Sequence, residues 1–69
     1  MYKSFFTEHH ENYMTKDLTV VYQGVKFFRE FETYTWFYNG KPCTEDMSKI
    51  LSDAKERDDE YYSKYQAII

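Results

Sequence analysis

The residues that could do chemistry are few, and the most conspicuous stand near the N-terminus. Glu8, His9, His10 and Glu11 are consecutive. Imidazole and carboxylate groups bind metals, but two His ligands on one helix need the i,i+4 spacing. Adjacent His residues point to different sides of a helix. We therefore interpret this segment as polar surface and expect neither a metal site nor a cofactor.

Cys43 is the single cysteine and the candidate nucleophile. It precedes a predicted helix N-terminus, where the helix dipole can lower the pKa of a thiol. A cysteine nucleophile also needs a His beside it, and no local pattern brings His9 or His10 there. Gly24 and Gly40 are isolated and form no phosphate-binding loop. We expect no catalytic residue and predict that the protein is not an enzyme.

An acidic ridge lies on the predicted C-terminal helix. One interpretation is mimicry of nucleic-acid phosphates, which would occupy the basic groove of a nucleic-acid enzyme. The other is an ordinary solvated helix face, which acid-first pairs at i,i+4 favour. Those pairs are Glu45–Lys49, Asp53–Arg57 and Glu60–Lys64. The ridge consists of Asp53, Glu56, Asp58, Asp59 and Glu60.

Three predicted elements position these residues. Residues 3–14 have aromatic side chains at helical spacing and predict a short N-terminal helix. Residues 18–22 are β-branched and apolar, which predicts a strand that ends at a turn over Gln23 and Gly24. Residues 45–67 predict a long amphipathic helix, because Thr44 is a good N-cap and an apolar stripe follows it.

The segment 25–38 is open to more than one interpretation. It is rich in aromatic and β-branched residues, and Asn39-Gly40 after it is a typical turn. Glu32-Thr33 is poor chemistry for a two-residue hairpin, so we favour one long strand with a bulge near 29–33 over two strands. A helix over 25–32 is the further alternative, since Phe27, Phe28 and Phe31 also fit a period of 3.6.

Strand alternation in a continuous segment predicts an aromatic sheet face. Tyr34, Trp36 and Tyr38 would share that face, with Glu30 and Glu32 alongside. The face would either bind a partner, with Trp36 as anchor, or be covered by the N-terminal helix. In the first case Trp36→Ala should abolish partner binding and leave the fold intact.

Length and composition set the broad class. The 69 residues make a single small domain, and eight Tyr, six Phe and one Trp exceed what its core can enclose. The surplus must lie at the surface, where such residues favour protein interfaces. A net charge of −3 argues against direct nucleic-acid binding. The lone cysteine and the absence of an apolar run of ~20 residues suggest a cytoplasmic protein without a membrane partner.

The long helix suggests an oligomer as the alternative. Residues 45–67 would span roughly 35 Å, whereas a compact domain of this size is roughly 28 Å across. The helix end should therefore overhang the domain and meet another element or molecule. This end carries Tyr61, Tyr62, Tyr65, Ile68 and Ile69.

The expected fold is α+β, with a small antiparallel sheet of two to three strands packed on a long C-terminal helix, and a short N-terminal helix. The expected function is a non-catalytic interaction module that inhibits or modulates a larger cytosolic complex. It would bind this protein partner through the aromatic sheet face, the acidic ridge and Tyr62. A phage-encoded antagonist of host defence, such as an anti-CRISPR protein, matches the size and acidity. The alternative is a structural homodimer or assembly subunit held through the C-terminal helix.

Overall fold

The computed structural model describes residues 4–68, with side chains described as far as residue 64. The fold is α+β: a five-stranded antiparallel sheet is followed by one long helix. Each strand pairs with the next along the chain, so the sheet order is β1-β2-β3-β4-β5. The elements are β1 (Phe6–Glu11), β2 (Leu18–Tyr22), β3 (Val25–Arg29), β4 (Trp36–Tyr38), β5 (Lys41–Pro42) and α1 (Glu45–Ile68).

The N-terminal segment is a strand, so the prediction of a short helix over 3–14 is wrong. β1 pairs antiparallel with β2, from Phe6 opposite Tyr22 to Glu11 opposite Leu18. Phe6 is its one buried side chain, so the strand shows none of the apolar alternation that would have predicted it. The chain reverses after β1 because Asn12 Oδ1 accepts hydrogen bonds from the two N–H groups of residues 14 and 15.

The turn over Gln23 and Gly24 is confirmed. Both residues have positive φ, 50° and 81°, which is the geometry of a two-residue type I′ hairpin. It sets the register of β2 against β3, from Tyr22 opposite Val25 to Leu18 opposite Arg29. Asn39 and Gly40 repeat the same geometry between β4 and β5, with φ values of 51° and 80°.

The segment 25–38 forms two strands, so the preferred prediction of one long strand is wrong. A tip of four residues, 31–34, reverses the chain, closed by Glu30 N–H to Thr35 O (3.0 Å) and Tyr34 N–H to Glu30 O (2.8 Å). Tyr34 adopts a φ of 56°, which is unfavourable for a residue with a Cβ. The sheet therefore has five strands instead of the two to three expected.

The C-terminal helix is confirmed, and its N-terminus begins as predicted. Thr44 Oγ1 accepts the N–H of Met47 (3.2 Å), and Thr44 O accepts the N–H of Ser48 (2.9 Å). Of the three expected acid-first pairs, Glu60–Lys64 is an ion pair at 3.8 Å. The other ion pair among the described side chains is Lys55–Asp59 at 2.5 Å, in the opposite order.

The helix packs on one face of the sheet and makes the core there. Trp36 is 1% exposed, and its Nε1–H donates to Ser52 Oγ at 3.0 Å. Trp36 therefore does not lie on an exposed face, because its indole fills the space between β4 and the helix. The buried side chains of this core are Phe6, Leu18, Val20, Phe27, Trp36, Leu51 and Ala54.

The helix crosses the sheet from the β5 side to the start of β1. Near its N-terminus, Met47 lies beside Phe27 and Tyr38. Further along, the carboxylate of Asp58 accepts hydrogen bonds from Ser4 Oγ and from the N–H of Phe5 (3.3 Å). Asp58 is 4% exposed, so it joins the N-terminal segment to the helix and does not belong to a solvated ridge.

Replacing Trp36 should therefore lower the stability of the fold and not only the affinity for a partner. Trp36→Ala is expected to cost about 3–5 kcal/mol, because it removes a large buried side chain and leaves a cavity. Ser52→Ala removes one hydrogen-bond partner and should cost only about 1 kcal/mol. Urea titrations followed by circular dichroism give both values, and a fully native Trp36→Ala spectrum with unchanged midpoint would contradict this placement.

Replacing Asp58 should cost more stability than replacing its acidic neighbours. Asp58→Ala leaves the Ser4 hydroxyl and the Phe5 N–H without their carboxylate, a loss of about 1.5–3 kcal/mol for hydrogen bonds to a charged group. Asp53→Ala is the matched control, since Asp53 is exposed on the same helix and should change the free energy of unfolding by less than about 0.5 kcal/mol. Equal effects of the two substitutions in urea titrations would be inconsistent with a buried structural carboxylate.

Candidate functional site

The register of the strands decides which side chains face away from the helix. Residues opposite each other in an antiparallel pair share one face of the sheet. Arg29 is opposite Trp36, so both lie on the helix side, whereas Phe28 is opposite Phe37 one residue along. The face turned away from the helix, here called the open face, consists of Glu8, His10, Thr19, Val21, Lys26, Phe28 and Phe37.

Three phenylalanines form an aromatic patch on the open face and its margin. The rings of Phe28 and Phe37 pack against each other, with centroids 6.3 Å apart. Phe31, in the hairpin tip, lies beside Phe28 in a shallow depression. Phe28 is 39% exposed and Phe31 47%, while Phe37 is half-buried. We call Phe28, Phe31 and Phe37 the phenylalanine patch.

The charged side chains at the two ends of the phenylalanine patch differ in sign. Asp17, Glu30 and Glu32 line the depression beside Phe31. Lys26 lies on the other side of Phe28, in a groove of about 790 Å³. The patch is thus acidic at the hairpin tip and basic at the opposite end.

That groove begins where the pairing of β3 with β4 ends. They pair at Phe28–Phe37 and Arg29–Trp36 only, so Val25, Lys26 and Phe27 have no partner residue in β4. The two type I′ turns stand on either side of the resulting gap. The groove is lined by Thr19, Gly24, Val25, Lys26, Phe27, Phe28, Phe37, Tyr38, Asn39 and Gly40.

The hairpin tip that carries Phe31 is held by contacts distant in sequence. The N–H of Phe31 donates to Asp17 Oδ1 at 2.9 Å. The guanidinium of Arg29 lies 4.4 Å from the ring centre of Tyr34 and 5.5 Å from that of Trp36. The rings of Phe31 and Tyr34 meet edge to face, 6.3 Å apart. These contacts offset the unfavourable φ of Tyr34 and fix the position of Phe31.

The predicted aromatic face is only partly brought together. Trp36 and Tyr38 lie on the helix side of the sheet, Trp36 in the core and Tyr38 half exposed against Phe27 (5.7 Å between ring centres). Tyr34 is exposed at the tip. Placing Trp36 on an exposed face is wrong, and Tyr38, although exposed, lies on the helix side. The tip at 31–34 breaks the alternation assumed for a continuous strand.

Glu30 and Glu32 do line the patch beside Phe31. The sequence prediction of the site did not include any of the three phenylalanines of the patch. A hairpin with Phe28 opposite Phe37 would have identified two of the three, but no Gly, Pro or Asn marks its tip in the sequence.

The acidic ridge does not persist as a row of free carboxylates. Asp58 is buried, and Asp59 and Glu60 are in ion pairs with lysines of the same helix. Asp53 and Glu56 are exposed. Tyr62 is exposed, with its ring edge to face against Tyr61 (5.4 Å).

The groups suited to catalysis are far apart. Cys43 follows β5, whereas His9 and His10 are on β1, at the opposite edge of the sheet. Four strand spacings separate β1 from β5, about 19 Å in all. Among residues 4–64, no three His, Cys, Asp or Glu side chains are grouped closely enough to hold a metal ion.

Comparison with known proteins adds no relative. No protein-family model matches the chain, and neither a curated protein nor a solved structure matches it. Within the part of the chain that the structure describes, no helix is both long and apolar enough to span a bilayer.

Cys43 should react slowly with thiol reagents at neutral pH. Burial raises the pKa of its thiol above the usual value, so the reactive thiolate is scarcer than in a free cysteine. Carbamidomethylation by iodoacetamide, followed by mass spectrometry across pH, should show a midpoint above that of the same protein in urea. A midpoint below the urea value would indicate an activated nucleophile instead.

Proposed function

We propose that this protein is a non-catalytic interaction module that inhibits or modulates a larger cytosolic complex, and that it binds its protein partner through the phenylalanine patch. The observation that carries the proposal is the uncovered open face. A five-stranded sheet has two faces, and the helix covers one of them. An antagonist of a defence complex, such as an anti-CRISPR protein, is one protein of this type.

The composition of the open face supports a protein partner. Large aromatic side chains are enriched in interface cores, where they supply much of the binding energy. Phe28 and Phe31 expose about two fifths to one half of their area although Trp36, on the next strand, is sealed. The chain therefore has enough apolar side chains for its core and still keeps three phenylalanines at one surface.

The rigidity of the open face supports the same proposal. Phe28 and Phe37 project from paired strands, and Phe31 is fixed by its hydrogen bond to Asp17. A pre-ordered patch loses little conformational freedom on binding. A partner would meet rings already arranged for contact.

The border charges indicate the partner's chemistry. Asp17, Glu30 and Glu32 would favour Lys or Arg at the matching rim of the partner, around an apolar centre. The net charge of −3 adds a long-range attraction to a basic surface. We propose an apolar partner surface bordered by basic residues.

We propose a non-catalytic protein because of the properties and positions of the Cys43 thiol and the two His side chains. The thiol of Cys43 has a raised pKa, and the two His residues lie across the sheet from it. Neither the grooves nor the patch contains a nucleophile beside a general base. Binding alone is the activity that the described side chains support.

Substitution of the phenylalanine patch should abolish binding without unfolding the chain. Phe28→Lys places a charge in the centre of the patch and should cost less than about 1 kcal/mol of stability, because the ring is on the solvent side of the sheet. Ile50→Ser is the matched control: Ile50 is 46% exposed on the helix, away from the open face.

The measurement is affinity capture from bacterial lysate with the full chain as bait, quantified by mass spectrometry. A specific partner should be retained by the wild type and by Ile50→Ser and lost by Phe28→Lys. A photo-cross-linking residue at position 31 should attach to that partner, and one at position 50 should not. Equal capture by Phe28→Lys and the wild type would refute the open face as the binding surface.

A further inference from the structure

The two edge strands of the sheet, β1 and β5, differ in how strongly they discourage pairing with a further strand. β5 has two residues, Lys41 and Pro42, and shortness, lysine and proline all discourage pairing with another strand. β1 has six residues with neither proline nor lysine. Its register shifts between Phe6 and Glu8, but pairing with β2 is regular from Glu8 to Glu11. No described strand occupies the outer side of β1.

The register identifies which backbone groups of β1 point outward. In a two-residue hairpin the flanking pair, Tyr22 and Val25, is hydrogen-bonded, and such pairs alternate along a ladder. Val21 and Thr19 therefore turn their backbone groups toward β1, where Glu8 and His10 are opposite them. The N–H and C=O groups of the intervening His9, and of Glu11, consequently face away from the sheet.

We propose that two copies of this chain associate through β1, antiparallel and centred on His9. In this register His9 faces His9 of the second copy. Glu8 of each copy lies directly opposite His10 of the other, on the open face. Imidazole and carboxylate are complementary as hydrogen-bonding groups, and the two-fold axis makes this contact twice.

The end of the helix lies at the same edge of the sheet. Buried contacts of the helix finish at Asp58, which meets Ser4 and Phe5 just before β1. Among side chains 59–64, Tyr61 is half-buried and the others are exposed. The helix continues to Ile68, so about 15 Å of it follows the Asp58 contact.

Pairing of the two β1 strands around His9 brings the helix end of one copy to an apolar surface of the other. Pairing around His9 brings the start of β1 in one copy toward the turn after Glu11 in the other. Tyr13 and Met14 are the most exposed large hydrophobic residues described, at 80% and 77%. The helix end that carries Tyr61 and Tyr62 would cover them in the second copy.

This assembly leaves the phenylalanine patch accessible. Pairing at β1 extends the sheet in its own plane, and the two-fold axis perpendicular to the sheet puts both open faces on the same side. The dimer would present two patches to a partner. It differs from the alternative dimer predicted from the sequence, which is held through the C-terminal helix.

Sedimentation equilibrium of the full chain tests the association. The wild type should show twice the monomer mass of 8.5 kDa at high micromolar concentration and dissociate on dilution. His9→Pro removes an outward N–H, which an edge strand tolerates, so it should stay folded by circular dichroism and sediment as a monomer. Ile50→Ser should remain dimeric. A wild type that is monomeric up to millimolar concentration would overturn the proposal.

Exchanging Glu8 and His10 tests the register. His10→Glu and Glu8→His should each raise the dimer dissociation constant about tenfold, because each changes both symmetric contacts. The double variant, with Glu8 and His10 exchanged, should return it to near the wild-type value. A double variant as weak as the single ones would overturn the pairing centred on His9.

Amide hydrogen exchange of the wild-type chain measures which β1 amides are protected, without any substitution. The amides of Glu8 and His10 should be protected at every protein concentration, since they face β2. Those of His9 and Glu11 should gain protection as concentration rises. Rapid exchange of His9 and Glu11 in a sample that sediments as a dimer would show that the copies meet elsewhere and would overturn the proposal.

Discussion

Contact between the single helix and one face of the sheet is the constraint on which the molecule depends. Trp36 sits at the centre of that contact, sealed by Leu51 and Ala54 and joined to Ser52 by a hydrogen bond. A small chain has a thin stability margin, so this layer must be well packed. The single helix can cover only one of the two sheet faces, so the second face stays at the surface. The phenylalanines on that second face are therefore exposed.

Local signals in the sequence predict much of the fold. Thr44 marks the start of the helix, and Gln23-Gly24 and Asn39-Gly40 mark the two type I′ turns, because each motif acts through its own neighbouring backbone. β1 carries no comparable signal. Its strand conformation comes from pairing with β2, and helical spacing of aromatic residues there was coincidental.

The sequence predicts that the candidate site is a surface patch of aromatic residues, but it does not predict which residues form the patch. Aromatic residues beyond the capacity of the core do lie at the surface, as the composition indicates. Their identity depends on the hairpin tip, where Tyr34 accepts an unfavourable φ because Arg29 stacks on its ring and Asp17 anchors the preceding Phe31. No short-range rule predicts such a tip, and the alternation assumed without it placed Trp36 on the wrong side.

The solvent accessibility of individual aromatic rings is the most direct test of the claim that the helix covers only the Trp36 side of the sheet. A soluble gadolinium chelate relaxes protons near the surface and can be followed by NMR on the full chain. The ring protons of Phe28 and Phe31 should relax strongly, whereas the indole protons of Trp36 should be shielded. Strong relaxation at Trp36 together with protection of Phe28 would mean that the helix covers the other face, which would contradict a core built around Trp36.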